Sequence, residues 1–288
     1  MKFKTAVIVS SVLIVLSFGF IQKKETIPQL GIVYRLEQDS LVYASGFRLS
    51  GEAVGRTISP SFTEAQFHQN LEQIKKAKCK LYLCNVLFPV TIKIAGPEVD
   101  EKRVLSYADT LFLRAKQAGV PFLVLGSGAS RRLPDNYDKQ KAKTNFIALC
   151  KKLADLASKY GIKIALESLQ SSETNFLNTV KEATEIVRGV NNPNFRLNAD
   201  IFHMMRENES PESIVAAADV LAHCEIAEKQ TRSMPGVQGD DFKPYLRALR
   251  KANYKGCIFI EANSTNPSND IPLSFKYLTQ QLKEVYAE

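Results

Sequence analysis

The chain has 288 residues, 45% of them hydrophobic and 24% charged, with 14 Gly, 12 Pro and no Trp. That composition excludes a disordered chain, a collagen-like repeat and a disulfide-dense miniprotein, and the length fits one or two domains. The formal charge of +8, from 38 Lys and Arg against 30 Asp and Glu, is mild and spread along the chain, which describes a solvated surface and not a nucleic-acid footprint.

The amino terminus reads as an export signal. Lys2 and Lys4 give a charged head, residues 5–21 form an uninterrupted apolar run, and Gln22, Lys23, Lys24 and Glu25 follow at once. With the small-x-small triplet Ser17-Phe18-Gly19, this fits a secretory signal cut near Gly19 and a periplasmic protein. The run reaches the lower edge of what spans a bilayer, so an uncleaved inner-membrane anchor is the alternative, and membrane contact is expected only in that case. Residues 1–24 are therefore assigned to a signal peptide or anchor, and 25–288 to the folded domain.

Beyond Pro28, short β-rich runs alternate with amphipathic segments. The expected strands cover 29–34, 46–50, 80–87, 121–126, 163–167, 195–200, 220–226 and 257–261. Between them the apolar spacing turns helical. Ser61-Phe62-Thr63-Glu64 resembles a capping box that opens the helix of Phe67, Leu71 and Ile74. Phe146, Leu149, Leu153, Leu156 and Tyr160 recur at the helical period, as do Phe176, Val180, Ala183 and Val187, with Gly189 as the expected stop. Eight such units without a linker predict a single (β/α)₈ TIM barrel. The alternative, a doubly wound sheet, lacks a Gly-rich dinucleotide turn after its first strand. The five cysteines (Cys79, Cys84, Cys150, Cys224, Cys257) show no paired spacing and predict buried thiols, not a disulfide framework.

In a barrel, polar residues at the carboxyl ends of strands form the active rim. Strand 5 ends at Glu167, strand 6 at Asp200 and strand 8 at Glu261. Unpaired buried carboxylates are costly and repel one another, and a divalent cation with oxygen ligands relieves both problems. Three carboxylates on three strands thus predict a metal site.

The same segments resemble the xylose-isomerase-like sugar isomerase/epimerase superfamily. Ala165-Leu166-Glu167 followed by Glu173-Thr174-Asn175-Phe176-Leu177-Asn178-Thr179 looks like its strand-5 signature, and Asp200-Ile201-Phe202-His203-Met204 resembles its D-x-x-H-M motif. His223-Cys224-Glu225-Ile226-Ala227-Glu228, running on to Arg232-Ser233-Met234-Pro235-Gly236, is similar to its H-x-H…R-x-x-P-G. Glu261 matches the last metal carboxylate, and Leu125-Gly126-Ser127-Gly128 with Arg131, Arg132 and Pro134 resembles a strand-4 loop common in the family; Arg131 and Arg132 are expected on the same rim, where they could meet an anionic group. The resemblance runs from about residue 121 to 264.

It implies that Glu167, Asp200 and Glu261 are metal ligands and that Glu167 and Glu261 exchange protons with a small sugar or sugar-like substrate. Removing a proton beside a carbonyl requires stabilising an enediolate, a Lewis-acid task, with a carboxylate on each face to take and return the proton. His203, Glu173, Arg232 and His223 would hold sugar hydroxyls. One position departs from the pattern: Glu225 stands where the family has a metal-binding His, with His223 on the same strand face about 6.5 Å away. Glu225 as a fourth ligand gives an all-oxygen site that favours Mn²⁺, Mg²⁺ or Ca²⁺, with Zn²⁺ or Co²⁺ as alternatives. The same departure opens a second reading, a non-catalytic exported barrel that binds carbohydrate through an altered metal site. Apurinic endonucleases share the barrel but need a histidine-rich metal cluster, and this chain has only His68, His203 and His223, so nucleic acid is not an expected partner. A homo-oligomer remains compatible with the sequence.

Overall fold

The computed structural model describes residues 26–288, and the expected export segment at 1–24 lies outside the described residues. Eight parallel strands close on themselves in chain order: β1 (Leu30–Val33), β2 (Leu49–Ala53), β3 (Lys80–Asn85), β4 (Phe122–Leu125), β5 (Lys163–Glu167), β6 (Phe195–Asp200), β7 (Leu221–Ile226) and β8 (Ile258–Ile260), with β8 pairing back onto β1. The TIM barrel expected from the alternating pattern is what forms.

The helices lie between the strands. In the first half they are α1 (Asp39–Ala44), α2 (Val54–Thr57), α3 (Glu64–Lys76), α4 (Glu101–Ala118), α5 (Gly128–Arg131) and α6 (Lys139–Tyr160). In the second they are α7 (Val180–Val190), α8 (Ile201–Arg206), α9 (Glu212–Ala216), α10 (Lys243–Lys251) and α11 (Pro267–Ala287). Among the described residues no helix is long and apolar enough to cross a membrane. All five cysteines are free, four of them buried.

Three local expectations are corrected. The second strand starts at Leu49 and runs to Ala53, because the chain is still turning at Gly46, whose φ is +113°. The capping box of α3 is Thr63 with Gln66, not Ser61 with Glu64: Thr63 accepts from the Gln66 amide at 3.3 Å, and Gln66 accepts from the Thr63 amide at 3.0 Å. Gly189 does not end α7. It lies within the helix against Ile147, and Asn191 takes the left-handed cap at φ +51°.

Two apolar regions hold the fold. The larger fills the space between barrel and helices, where Phe67, Phe112, Phe146 and Val187 are buried. The smaller plugs the barrel itself with Leu83, Phe122, Val124, Ala165 and Phe259. Tyr82 stacks on Phe122 and Phe259, with ring centroids 5.4 and 5.9 Å apart. Aromatic packing therefore closes the barrel below, and the polar cluster described next sits above it.

Gly31 on β1 faces this plug, and a Cβ there would clash with the Phe259 ring at its Cζ. Gly31→Val is expected to lower stability by about 1–3 kcal/mol, read from chemical denaturation, as overpacked cores do. An unchanged midpoint would contradict the packing described.

Candidate metal and proton-transfer site

The carboxyl ends of β5, β6, β7 and β8 bring Glu167, Asp200, Glu225 and Glu261 together. One carboxylate oxygen from each lies within 4.8 Å of the others. Period-two alternation and strand register explain why: Asp200 pairs with Glu225 across β6 and β7, so both side chains enter the barrel at one level. Glu261 follows the last residue of β8 and is anchored by its own amide on the Ile226 carbonyl at 3.2 Å.

Each carboxylate is held differently. Asp200 caps α8, with Oδ1 accepting from the His203 amide at 3.2 Å and Oδ2 facing the cluster. Glu261 accepts from Asn85 Nδ2 through one oxygen and pairs with Arg232 Nη2 through the other. Glu225 accepts from Asn198 Nδ2. Glu167 occupies the space where a side chain on residue 126 would be, since a Cβ on Gly126 would fall on Glu167 Oε2. Glycine at 126 is thus a steric requirement of the glutamate, not only a turn residue.

The electrostatics are unbalanced. Burial holds the Glu167 carboxyl well above the ordinary carboxylate range, with Glu225 and Glu261 adding to it and His203 opposing. Burial also raises Glu225, reinforced by Glu261 and Asp200. Glu167 Oε1 and Glu225 Oε1 are buried without a hydrogen-bond partner. Such orphaned oxygens are rare in native proteins and mark a place where another group belongs. Oxygen donors this close, two of them unsatisfied, fit a hard divalent cation.

His203 forms the other wall. The Gln170 amide donates to His203 Nδ1 at 3.2 Å, so in the neutral ring the proton sits on Nε2. Nε2 faces Glu167 Oε1 at 3.4 Å and Asp200 Oδ2 at 3.8 Å, too far to satisfy any of these atoms. Burial pulls the His203 pKa down, but Asp200 and Glu167 outweigh it and the net shift is upward.

Arg232 reaches in from the loop after β7. Its Nη2 lies 3.7 Å from Asp200 Oδ2, its Nη1 lies 3.7 Å from Glu173 Oε1, and its guanidinium sits 4.8 Å over the Phe202 ring. Burial lowers its pKa, yet the carboxylates around it, Glu261 and Asp200 foremost, raise it overall. Arg232 adopts a left-handed backbone at φ +52°. Glu228 holds that loop: its buried carboxylate accepts from Ser233 Oγ and the Gly236 amide at 2.8 Å and from the Gln238 amide at 2.7 Å.

The structure therefore gathers Glu167, Asp200, Glu225, Glu261, His203 and Arg232 at one locus, with Glu173 on its half-exposed edge. His223 lies beneath this locus, buried one level below Glu225 with its Nε2 3.5 Å from Glu225 Oε1, and is flanked by Phe122 and Phe259, with ring centroids 6.0 and 5.3 Å away. Burial pushes its pKa down to about 4, against the raising effect of Glu261 and Asp200. Arg131 does not line the rim. It is fully buried and donates to the Leu125 carbonyl at 3.2 Å. His68 is exposed on α3, far along the chain from every strand end. Sequence reasoning missed Asn85, Asn198 and Gln170. Asn85 ends its strand just as Glu167 does, so searching strand ends for amides as well as carboxylates would have found it.

A family model described as "Xylose isomerase-like TIM barrel" matches residues 45–281. A protein named L-ribulose 3-epimerase from Methylomonas sp. (strain DH-1) is 36% identical over 124 residues, a stretch covering 43% of each chain, so the match spans less than half of that relative. Among solved structures, one titled "Structure of L-ribulose 3-epimerase" superposes with a TM-score of 0.76 at 17% identity, over 90% of this chain and 96% of the other. Another, titled as the IOLI protein with a binding zinc atom, has a TM-score of 0.70 at 18% identity, over 90% of this chain and 100% of the other.

Because the folded chain holds protons on Glu167 and Glu225 more tightly than the unfolded chain, these groups destabilise chelator-treated protein as pH rises through their raised folded pKa. Glu225→Gln removes one such group. Its thermal midpoint is expected to exceed the parent's by several degrees at about pH 8, with a smaller gain at about pH 5. An equal difference at both values would contradict the assignment.

Proposed function

The chain belongs to the xylose isomerase-like TIM barrel family, and on that premise we propose that it is a divalent-metal-dependent sugar epimerase or isomerase whose proton-transfer groups are Glu167 and Glu261. The observation that carries this reading is the convergence of four carboxylates from four strand ends, two of them with buried, unpartnered oxygens. Support also comes from the relative named L-ribulose 3-epimerase and from the fold likeness to a protein solved with zinc.

Glu167, Asp200, Glu225 and Glu261 would hold the cation. When bound, it supplies Lewis-acid polarisation of a carbonyl and its neighbouring hydroxyl. The oxygen-only donor set favours Mn²⁺ or Mg²⁺ over Zn²⁺ or Co²⁺.

The protein's own groups do the rest. Glu167 and Glu261 extend from strands three apart around the barrel, and so approach a sugar at the mouth from different sides. One takes the proton from the carbon beside the carbonyl, and the other, protonated beforehand, then delivers a proton to the opposite face. Solvent exchange then restores the starting protonation. The unsatisfied oxygen of Glu167 suits it to this task, and burial raises its proton affinity. His203 Nε2 and Arg232 supply donors for substrate oxygens, and Arg232 with Glu173 bridges the mouth above β6. Export, drawn from the charged head and apolar run before residue 25, belongs to the same proposal, and mass spectrometry of the secreted chain would place its mature terminus near Gly19.

With Mn²⁺ supplied in deuterated water, the parent protein is expected to exchange the carbon-bound proton of L-ribulose or a related ketose. Glu167→Gln and Glu261→Gln should each reduce that exchange by about 10²–10⁴-fold. Exchange that survives in both variants would refute the assignment, and a parent protein that binds sugar without exchange would establish a non-catalytic barrel.

A further inference from the structure

We propose that Asn198 is a positioning residue that fixes the Glu225 carboxylate towards the other three. This rests on the reading of the four carboxylates as a cation site and concerns how this chain maintains its oxygen-only set.

Asn198 lies on β6 two residues before Asp200, so the strand's alternation points both into the barrel. It is fully buried, immediately above the apolar plug. Its Nδ2 donates to Glu225 Oε2, while its Oδ1 has no partner among the described residues. A buried amide with half of its polar atoms unsatisfied costs stability, and a leucine would fill a similar volume without that cost. The amide's one evident use is Glu225.

What the amide does there follows from the rest of the geometry. Engaging Oε2 leaves Oε1 as the unpartnered oxygen of Glu225. His223 Nε2, also unpartnered, stands 3.5 Å from that Oε1, and the rings of Phe122 and Phe259 flank the imidazole. Without Asn198, Glu225 Oε2 would lose its donor and the carboxylate would be free to turn about Oε1, which already faces His223. With it, one rotamer is selected. A histidine at 225 would present a ring nitrogen and need no such restraint on a second oxygen, so Asn198 and Glu225 act as a pair.

The test is Mn²⁺ binding to the chelator-treated full chain, measured by isothermal titration calorimetry and needing no substrate. Asn198→Leu and Asn198→Ala should each weaken binding by about 10–100-fold, the usual effect of removing a group that orients a metal ligand. In a Glu225→Ala background, where there is no carboxylate to hold, the same changes should alter the Kd by no more than about twofold. An unchanged Kd in both Asn198 variants would overturn the positioning role and leave the cation site standing. Equal weakening with and without Glu225 would overturn it too, by showing general damage. A parent protein that binds no Mn²⁺ would refute the cation site itself, and the role of Asn198 with it.

Discussion

The mouth of this barrel is organised around the mutual repulsion of four carboxylates within 4.8 Å. Water cannot dilute that repulsion, because Glu167, Asp200 and Glu225 are buried and Glu261 is largely so. Each neighbouring feature reads as a partial answer to it. The first turn of α8 donates an amide to Asp200, side-chain amides donate to Glu225 and Glu261, and the Arg232 guanidinium lies against Glu261 and Asp200. These leave the Oε1 atoms of Glu167 and Glu225 unanswered, and those atoms mark where a cation would complete the balance.

The scaffold pays for this arrangement in stability at several points. Gly126 gives up a side chain so that Glu167 can fit, Arg232 sits in a left-handed backbone conformation, and the loop that carries it folds around a buried Glu228 held by backbone amides and a serine hydroxyl. The aromatic plug of Tyr82, Phe122 and Phe259 fills the barrel interior below the carboxylates. The buried carboxylates Glu167, Asp200, Glu225 and Glu228 all lie at or beside that mouth, as expected where binding chemistry is placed on an otherwise regular fold.

Much of this was legible in the sequence because an ionisable residue that ends an apolar run is conspicuous. Glu167, Asp200 and Glu261 each close such a run, and the barrel topology places strand ends at one rim. The helical periods around Phe146 and Val187 were equally plain, since long amphipathic faces are hard to mistake. Other features were not legible. Asn85 is uncharged and is betrayed only by its place at a strand end, whereas Asn198 lies inside its strand between Leu and Ala, where nothing in the local pattern marks it. The displaced start of β2 depends on the turn at Gly46, and the α3 capping box on which of two adjacent Ser/Thr-x-x-Glu/Gln frames the backbone selects. Arg131 looked like a rim cation because its neighbours are polar, yet its guanidinium turns inward to the Leu125 carbonyl. His223 shows the same limit: alternation placed it on the interior face, but only the register of β7 reveals that it lies below the cluster among aromatic rings.

The most direct measurement is anomalous diffraction at the manganese edge from crystals of the full chain grown with Mn²⁺. The expected result is one manganese per chain, ligated by Glu167, Asp200, Glu225 and Glu261. Manganese absent from that position, or bound there without Glu225, would contradict it.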